Sequence, residues 1–454
     1  MDTLFPKTII AYIGLFASAF AANNFLYFRG FMLGFLLLGE ARKCVTNIAR
    51  VCFFLNKNIS CWERFLSQYQ WDINDVRGKL VRKLVRLIND QLHQQLFIFD
   101  AYLAWVDTTL VAKVKGKMPA VQKWHDHSGN PDRSESMVGH HWAIAGLLGA
   151  TIIAQRWTPF CLPVMANLIS GNANPLGFVV DHNGVAQAMT FWDAVCPLIS
   201  QLVLMLEHQP LRVVADAYFA KAPFINWMLS IYVHVITRMR HDAVGWDDPQ
   251  PEPTLPPGKK KLGRRRTNPL KGKEWKLATL LKSFASESIT VYVYGNLKTL
   301  NIVTRDVWIR DVIIQKVRVV VIQTTGNPII LLSTDLTLTP KQIIILYAMR
   351  FSVELGIRDA KQHFGFGDYQ CSSLLAMTRF VGLSLVSFCL WRITLLMEQN
   401  ADWLLQEETS PFSFVRIRRA TRRYVIEKLF ENSASGADFQ KSGVVPEDVL
   451  RMVA

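Results

Sequence analysis

One stretch near the C-terminal end carries a group of side chains suited to phosphate chemistry: Tyr347, Arg350, Glu354, Arg358 and Lys361. Placed on a helix at about 100° per residue, Tyr347, Arg350, Glu354 and Lys361 share an arc of roughly 60°, and Arg358 lies beside it. Glutamate offers hard oxygen ligands to Mg²⁺ or Mn²⁺. Arginine forks onto phosphate oxygens, lysine supplies a compact point charge, and a phenol donates one further hydrogen bond. The same spacing also describes a plain surface helix with i,i+4 ion pairs such as Arg350–Glu354, and spacing alone leaves both readings open.

One glutamate cannot hold two ions, so partner carboxylates are needed. Asp107 in LAWVDTT and Asp216 in LRVVADAYF sit in apolar, strand-like text, where they are expected at strand ends. A carboxylate there is costly to bury unless it is paired or metal-bound, and strand ends are where α/β folds place their sites. Each is also readable as a cap or turn residue. Asp335, in LLSTDLTLTP, competes with them but reads as a turn residue before the Glu354 helix. That helix is expected to start at Thr339, with Pro340 at its first position and Gln342 three residues after the cap.

The elements that must position these groups follow from pattern. Residues 1–97 read as a helical, DNA-binding domain. In VRGKLVRKLVRLINDQLHQQL, Leu80, Val81, Leu84, Val85 and Ile88 recur with helical period, and Arg77, Lys79, Arg82, Lys83 and Arg86 fill other positions. FIFDAYLAWVDTTLVAKV and HHWAIAGLLGATIIA read as strands. A helix is expected near 185–207, then the strand LRVVADAYF, a short helix near 222–230 and the strand YVHVITRM. Strands followed by strand–helix–strand predict an α/β fold with a mixed sheet flanked by helices. The span 98–246 is taken as the first part of a catalytic core, and 334–400 as its second part with the Glu354 helix. Between them, 247–333 reads as an insertion, with proline-rich DDPQPEPTLPPG, a basic run with Lys259, Lys260, Lys261, Arg264, Arg265 and Arg266, and strands joined by a TTGN hairpin turn. Residues 401–454 form a basic C-terminal region with Arg416, Arg418, Arg419, Arg422 and Arg423.

The residues in this order resemble the insertion-sequence DDE transposases. Their Y-x₂-R-x₃-E-x₆-K pattern is met by Tyr347, Arg350, Glu354 and Lys361. Asp107-Thr-Thr with GHHWAIAGL resembles the first-aspartate block, LRVVADAYFAKAPF the second, and RFLSQYQWD the N-terminal region, so the resemblance covers roughly residues 60–380. Val106 stands before Asp107 where some relatives have a second acidic residue. The resemblance implies an RNase H-like fold and catalytic, metal-binding Asp107, Asp216 and Glu354. It also implies two Mg²⁺ ions (Mn²⁺ as substitute) bridged by Asp107, and DNA cleavage and strand transfer at the ends of an insertion sequence. Tyr347, Arg350, Lys361, Arg358 and the basic run 259–266 would contact DNA. A homodimer in a synaptic complex on double-stranded DNA, with no small-molecule substrate, and a cytoplasmic, nucleoid-associated location are implied as well. A DNA-binding protein that has lost cleavage is the alternative.

Charge supports a polyanionic partner: the net charge is +15. Half the residues are hydrophobic, which excludes global disorder. Seven cysteines without a C-x-x-C pair exclude a disulfide framework. His125, His127, His140 and His141 with Asp126 are too loosely spaced for a zinc motif, and DNA contact or packing fits them better. Trp275 and Trp308 fit core packing better than stacking on an extruded base. The apolar run 8–39 is interrupted by Asn23, Asn24 and Arg29. It reads as buried or amphipathic helix rather than a membrane segment, and a membrane-anchored basic protein is a third reading that rests on this run alone.

Overall fold

The computed structural model describes residues 3–92, 96–114, 118–125, 136–153, 155–170, 178–180, 186–248, 272–309, 312–398, 401–404 and 413–434. The chain opens with α1 (Lys7–Gly14), α2 (Ala22–Leu37), α3 (Val45–Val51), α4 (Ile59–Ser67) and α5 (Ile73–Lys79). A π-helical stretch, Leu80–Val85, leads into α6 (Arg86–Leu92). The apolar run 8–39 becomes nearly all of α1 and the whole of α2. Its Phe31 and Phe35 rings pack on Phe380, at 6.3 and 5.6 Å, which makes this segment core. Leu80, Val81, Leu84, Val85 and Ile88 are buried as their period demands, whereas Arg82, Lys83 and Arg86 face solvent. Arg77 departs from that solvent face: it is buried, and its Nη1 donates to Asn74 Oδ1.

Next come β1 (Tyr102–Ala112), β2 (Gln122–His125), β3 (Ser136–Ile153) and β4 (Arg156–Ile169). They are followed by the small pair β5 (Phe178–Val180) and β6 (Ala186–Ala188), then α7 (Phe191–Met205), β7 (Leu211–Ala215), α8 (Ala222–Ser230) and β8 (His234–Met239). Helix α7 begins later than its sequence pattern predicts because Thr190 and Asp193 form a capping box that fixes the start. The chain continues with β9 (Val244–Trp246), β10 (Glu274–Lys276), α9 (Leu280–Ser283), β11 (Glu287–Val293), β12 (Asn296–Ile309), β13 (Val312–Ile322) and β14 (Ile329–Ser333). Helices α10 (Pro340–Met349), α11 (Phe351–Phe364), α12 (Leu374–Met397) and α13 (Phe414–Ala434) follow.

One mixed sheet organises the fold, in the order β10-β9-β12-β13-β14-β8-β7-β1-β3-β2, with β4 on β3 and β11 on β12. Strands β4, β3 and β1 are antiparallel, and β7 and β8 then add parallel to β1 through α7 and α8. This is an RNase H-like core. The strands of 247–333 join it through β14, which pairs with β8, and so extend the same sheet. The sequence-predicted TTGN turn joins β13 to β14.

Helix α12 is long and apolar enough to cross a membrane by length and composition, but 94% of that window is buried inside the protein. It runs between β4 and the N-terminal helices. Cys389 Sγ donates to Pro163 O of β4 at 3.2 Å, and Arg379 Nη1 donates to Leu66 O and Tyr69 O at the end of α4. Helix α11 lies close on β4: a Cβ at Gly356 would come within 2.8 Å of Cys161 Sγ. The arginines of α13 do not form one solvent face. Arg416 and Arg418 are buried, Arg418 donates to His363 O, and Arg422 Nε donates to Leu37 O at 2.6 Å.

Asp335 is a buried partner rather than a turn residue alone. Arg212 Nε donates to its Oδ2 at 2.7 Å, and Thr337 donates to its Oδ1 from both N and Oγ1. Burial works against its charge, but the Thr337 and Arg212 bonds outweigh that and lower its pKa. Thr334 N meets Val235 O at the amino end of β8, so Asp335 anchors the base of α10 at the sheet end opposite Asp216. Asp335→Ala leaves Arg212 buried without its counter-ion and should cost about 3–5 kcal/mol. The double change Arg212→Met, Asp335→Leu should cost less than that single change in urea denaturation.

Candidate active site

Strand β1 pairs in parallel with β7 from Tyr102↔Leu211 to Trp105↔Val214. Carrying that register two residues further sets Asp107 level with Asp216, one strand spacing of about 4.8 Å away. Asp216 directly follows β7 and caps the short 3₁₀ turn Ala217–Phe219; its Oδ1 accepts from Tyr218 N at 2.9 Å. Asp107 departs from the strand-end placement: it sits in the middle of β1, where β7 stops and β3 alone continues alongside. Thr108 N donates to its Oδ1 at 2.7 Å.

Glu354 arrives from above on α11. The capping box at Thr339 and Gln342 and Pro340 at the first helical position start α10 where the sequence places it. The stripe from Tyr347 to Lys361 is, however, divided between two helices. At the joint Arg350 N donates to Tyr347 O and Val353 N to Arg350 O, tight i→i+3 bonds that separate α10 from α11. Arg350 keeps right-handed helical angles, so the stripe survives the break.

Arg350 is the hub of the site. Its Nη2 lies 2.7 Å from Glu354 Oε1, its Nη1 3.6 Å from Asp107 Oδ2, and its guanidinium carbon 6.0 Å from the Tyr347 ring centroid. The Asp107 side chain is 20% exposed and that of Glu354 52%. Burial, and then the negative charge of Asp216, push the Asp107 pKa up to about 7; Glu354 adds to this and Arg350 opposes it. Asp216 is also raised, first by burial. Burial works against the Arg350 charge, but Tyr347, Asp107 and Glu354 outweigh it and raise its pKa. Burial keeps the Tyr347 phenol protonated against the pull of Arg350.

The other sequence candidates have distinct places. Lys361 Nζ donates to Leu110 O at 2.9 Å, pinning α11 to β1 three residues beyond Asp107. Arg358 is largely exposed, with Nε 3.8 Å from Asp359. Lys259, Lys260, Lys261, Arg264, Arg265 and Arg266 lie outside the described residues, as do Asp126 and His127. The root of the basic segment is fixed: Trp275 Nε1 and Arg305 Nη2 donate to Asp247, and Trp308 Nε1 donates to Asp248. His140 is a core residue, with Tyr369 OH 2.6 Å from Nδ1 and Pro119 O 2.9 Å from Nε2.

Arg238 is a residue the sequence reading missed. Ala215 pairs with Thr237 in the parallel β7–β8 register, so Arg238 stands level with Asp216. Its charge is felt at Tyr347 and Tyr294. Nothing local marks this arginine; its significance lies in the register across strands.

Among the described residues no three His, Cys, Asp or Glu side chains close tightly around one point, and this holds for the three carboxylates as for the histidines. Their chemistry nonetheless fits a hard divalent ion: all donors are oxygens, and the repulsion that raises Asp107 is relieved by positive charge placed between them.

An RNase H-like sheet with two aspartates level on adjacent parallel strands and a glutamate on the following helix defines a class of nucleic-acid-cutting enzymes. Residues 26–292 match the family described as DDE superfamily endonuclease, and the chain belongs to that family. The matched span includes Asp107 and Asp216 and ends before Glu354. No curated protein matches the chain. The family is one of DNA-cutting nucleases that use divalent metals.

Folded Asp107, with its pKa near 7, keeps a proton that the unfolded carboxyl, with a pKa near 4, releases. Without divalent ions, its contribution therefore lowers stability as pH rises from about 4 to 7. Asp107→Asn should remove this penalty and stabilise the metal-free protein at pH 8 by on the order of 1–3 kcal/mol, read as a higher melting temperature, with little change at pH 5. A lower melting temperature at pH 8 would contradict it.

Proposed function

We propose that this endonuclease is a DNA transposase that cuts and rejoins phosphodiesters at the ends of its own insertion sequence. The observation that carries the proposal is the coupled charge set of Asp107, Asp216 and Glu354, with Arg350 among them. Asp107, Asp216 and Glu354 would hold the two Mg²⁺ ions between them. Bound divalent ions supply Lewis-acid activation of the attacking oxygen and charge stabilisation at the leaving one.

The chain's own residues do the rest. Near neutral pH Asp107 must lose a proton before it serves as a ligand, which links metal affinity to pH. Arg350 and Arg238 offer guanidinium groups to the phosphate, and the protonated Tyr347 hydroxyl donates to a phosphate oxygen. Lys361 holds α11 on β1 and so fixes the height of Glu354 over Asp107. Arg358 and the basic segment 259–266 would meet DNA beyond the scissile phosphate, and Arg82, Lys83 and Arg86 would give the N-terminal helices a phosphate-binding face. The working form is a homodimer in a synaptic complex, acting where the element's DNA resides, in the nucleoid.

The test is cleavage of a DNA fragment carrying the element's ends, with and without Mg²⁺. Wild type should cut. Glu354→Gln and Asp216→Asn should lose at least about 10³-fold in rate while retaining DNA binding. Binding without cutting by all three proteins would support a DNA-binding protein that has lost cleavage.

A further inference from the structure

The tip of the β11–β12 hairpin reaches the joint of α10 and α11 and carries a side chain that the cleavage chemistry does not use. Tyr294 and Gly295 form the two-residue turn inside the closing pair Val293↔Asn296, both with left-handed backbone, at φ 54° and 76°. Such turns favour asparagine, aspartate or glycine at the first position, and a bulky residue held there marks a strained site. The Tyr294 side chain nonetheless projects into solvent, 56% exposed. Strand β11 packs on α10, and the Tyr294 ring meets Phe351, the residue after Arg350, edge-on at 6.1 Å. Partial burial raises the phenol pKa, and the charges of Arg350, Glu354 and Arg238 are all felt there.

Between the hairpin tip and α11 lies an open cleft of about 290 Å³, walled by Trp157, Pro159, Tyr294, Met349, Phe351 and Leu355. On α11, Phe351 stands about 60° and Leu355 about 100° round the helix from Glu354, so the cleft borders the carboxylate face. Two cations flank it. Arg358 falls between Glu354 and Phe351 on the helix and is largely exposed. Lys298 Nζ lies 5.4 Å from the Tyr294 ring centroid. An apolar slot between cations matches a deoxyribose, whose C–H faces pack on rings while the phosphates on either side meet the charged groups. A symmetric contact with a second copy of this chain would instead bring Lys298 and Arg358 close to their own copies.

We infer that Tyr294 is a positioning residue for the cut strand: its ring packs on the deoxyribose next to the scissile phosphate, in the cleft it shares with Phe351 and Leu355, while Lys298 and Arg358 hold the phosphates on either side. This rests on the proposal that Asp107, Asp216 and Glu354 cut DNA. The sugar seated there fixes which phosphodiester lies over the carboxylates. The contact belongs to the ring face, so the hydroxyl is dispensable.

The test uses the full chain carrying Asp216→Asn, bound to a DNA fragment with the element's ends, so contact is read independently of cutting. Hydroxyl radicals from EDTA-chelated iron attack exposed deoxyriboses, and one sugar at the element's boundary should be protected. Tyr294→Ala should lose that protection and keep the rest of the footprint. Tyr294→Phe should keep both, which separates ring packing from misfolding. With Asp216 intact and Mg²⁺ present, Tyr294→Ala should cut about 10²-fold more slowly, at phosphodiesters on either side of the wild-type position. An unchanged footprint in Tyr294→Ala, or the same loss in Tyr294→Phe, would overturn the contact. If the boundary sugar is protected through Tyr294 while wild type fails to cut under any condition, the cleavage proposal falls and the contact stands as a DNA-binding site. If wild type cuts and the Tyr294→Ala footprint is unchanged, the contact alone falls.

Discussion

Like charges held together are the constraint on which this structure depends. Asp107 and Asp216 are set level on neighbouring strands, and Glu354 is brought near them on α11, although burial first, and then the charges of Asp216 and Glu354, make Asp107 harder to ionise. Arg350 answers that repulsion from the joint of α10 and α11, bound to Glu354 and within ion-pair distance of Asp107. The raised pKa of Asp107 reflects its burial first and this repulsion second. A fold built for stability alone would not keep this arrangement, which marks these residues as the candidate functional site.

Rigid elements oppose the repulsion from every side. The parallel β1–β7 register fixes the two aspartates without any help from loops. Helix α10 is tied down at its base through the buried Arg212–Asp335 pair and capped at Thr339, so its far end delivers Arg350 at a set height. Lys361 then fastens α11 to the backbone of β1. Helix α12 fills the space between β4 and the N-terminal helices, and its burial there makes this long apolar segment core.

Much of this was legible in the sequence, for physical reasons. The order of strands and helices, the Pro340 start and the buried stripe Leu80–Ile88 follow from periodicity and capping chemistry. The family resemblance, drawn from ordered motifs, holds at the level of the DDE superfamily endonucleases. What escaped depends on tertiary placement. The break at Arg350 has no glycine or proline to announce it, because the residue stays in the helical region. Arg77, Arg418 and Arg422 read as surface cations, yet their guanidinium groups satisfy side-chain or backbone acceptors inside the fold. Asp335 looks like a turn aspartate until Arg212, over a hundred residues earlier, is brought beside it. Arg238 becomes part of the site only once three strands are in register.

The central claim of the proposal is that Asp107, Asp216 and Glu354 together hold two divalent ions. Its most direct test is to replace Mg²⁺ with Fe²⁺, generate hydroxyl radicals with ascorbate and peroxide, and map where the polypeptide is cut. Ions held among the three carboxylates should give cuts clustered near residues 107, 216 and 354 together, suppressed by excess Mg²⁺ and lost in Asp107→Asn. Cuts confined to one of these segments, or placed elsewhere in the chain, would contradict the account.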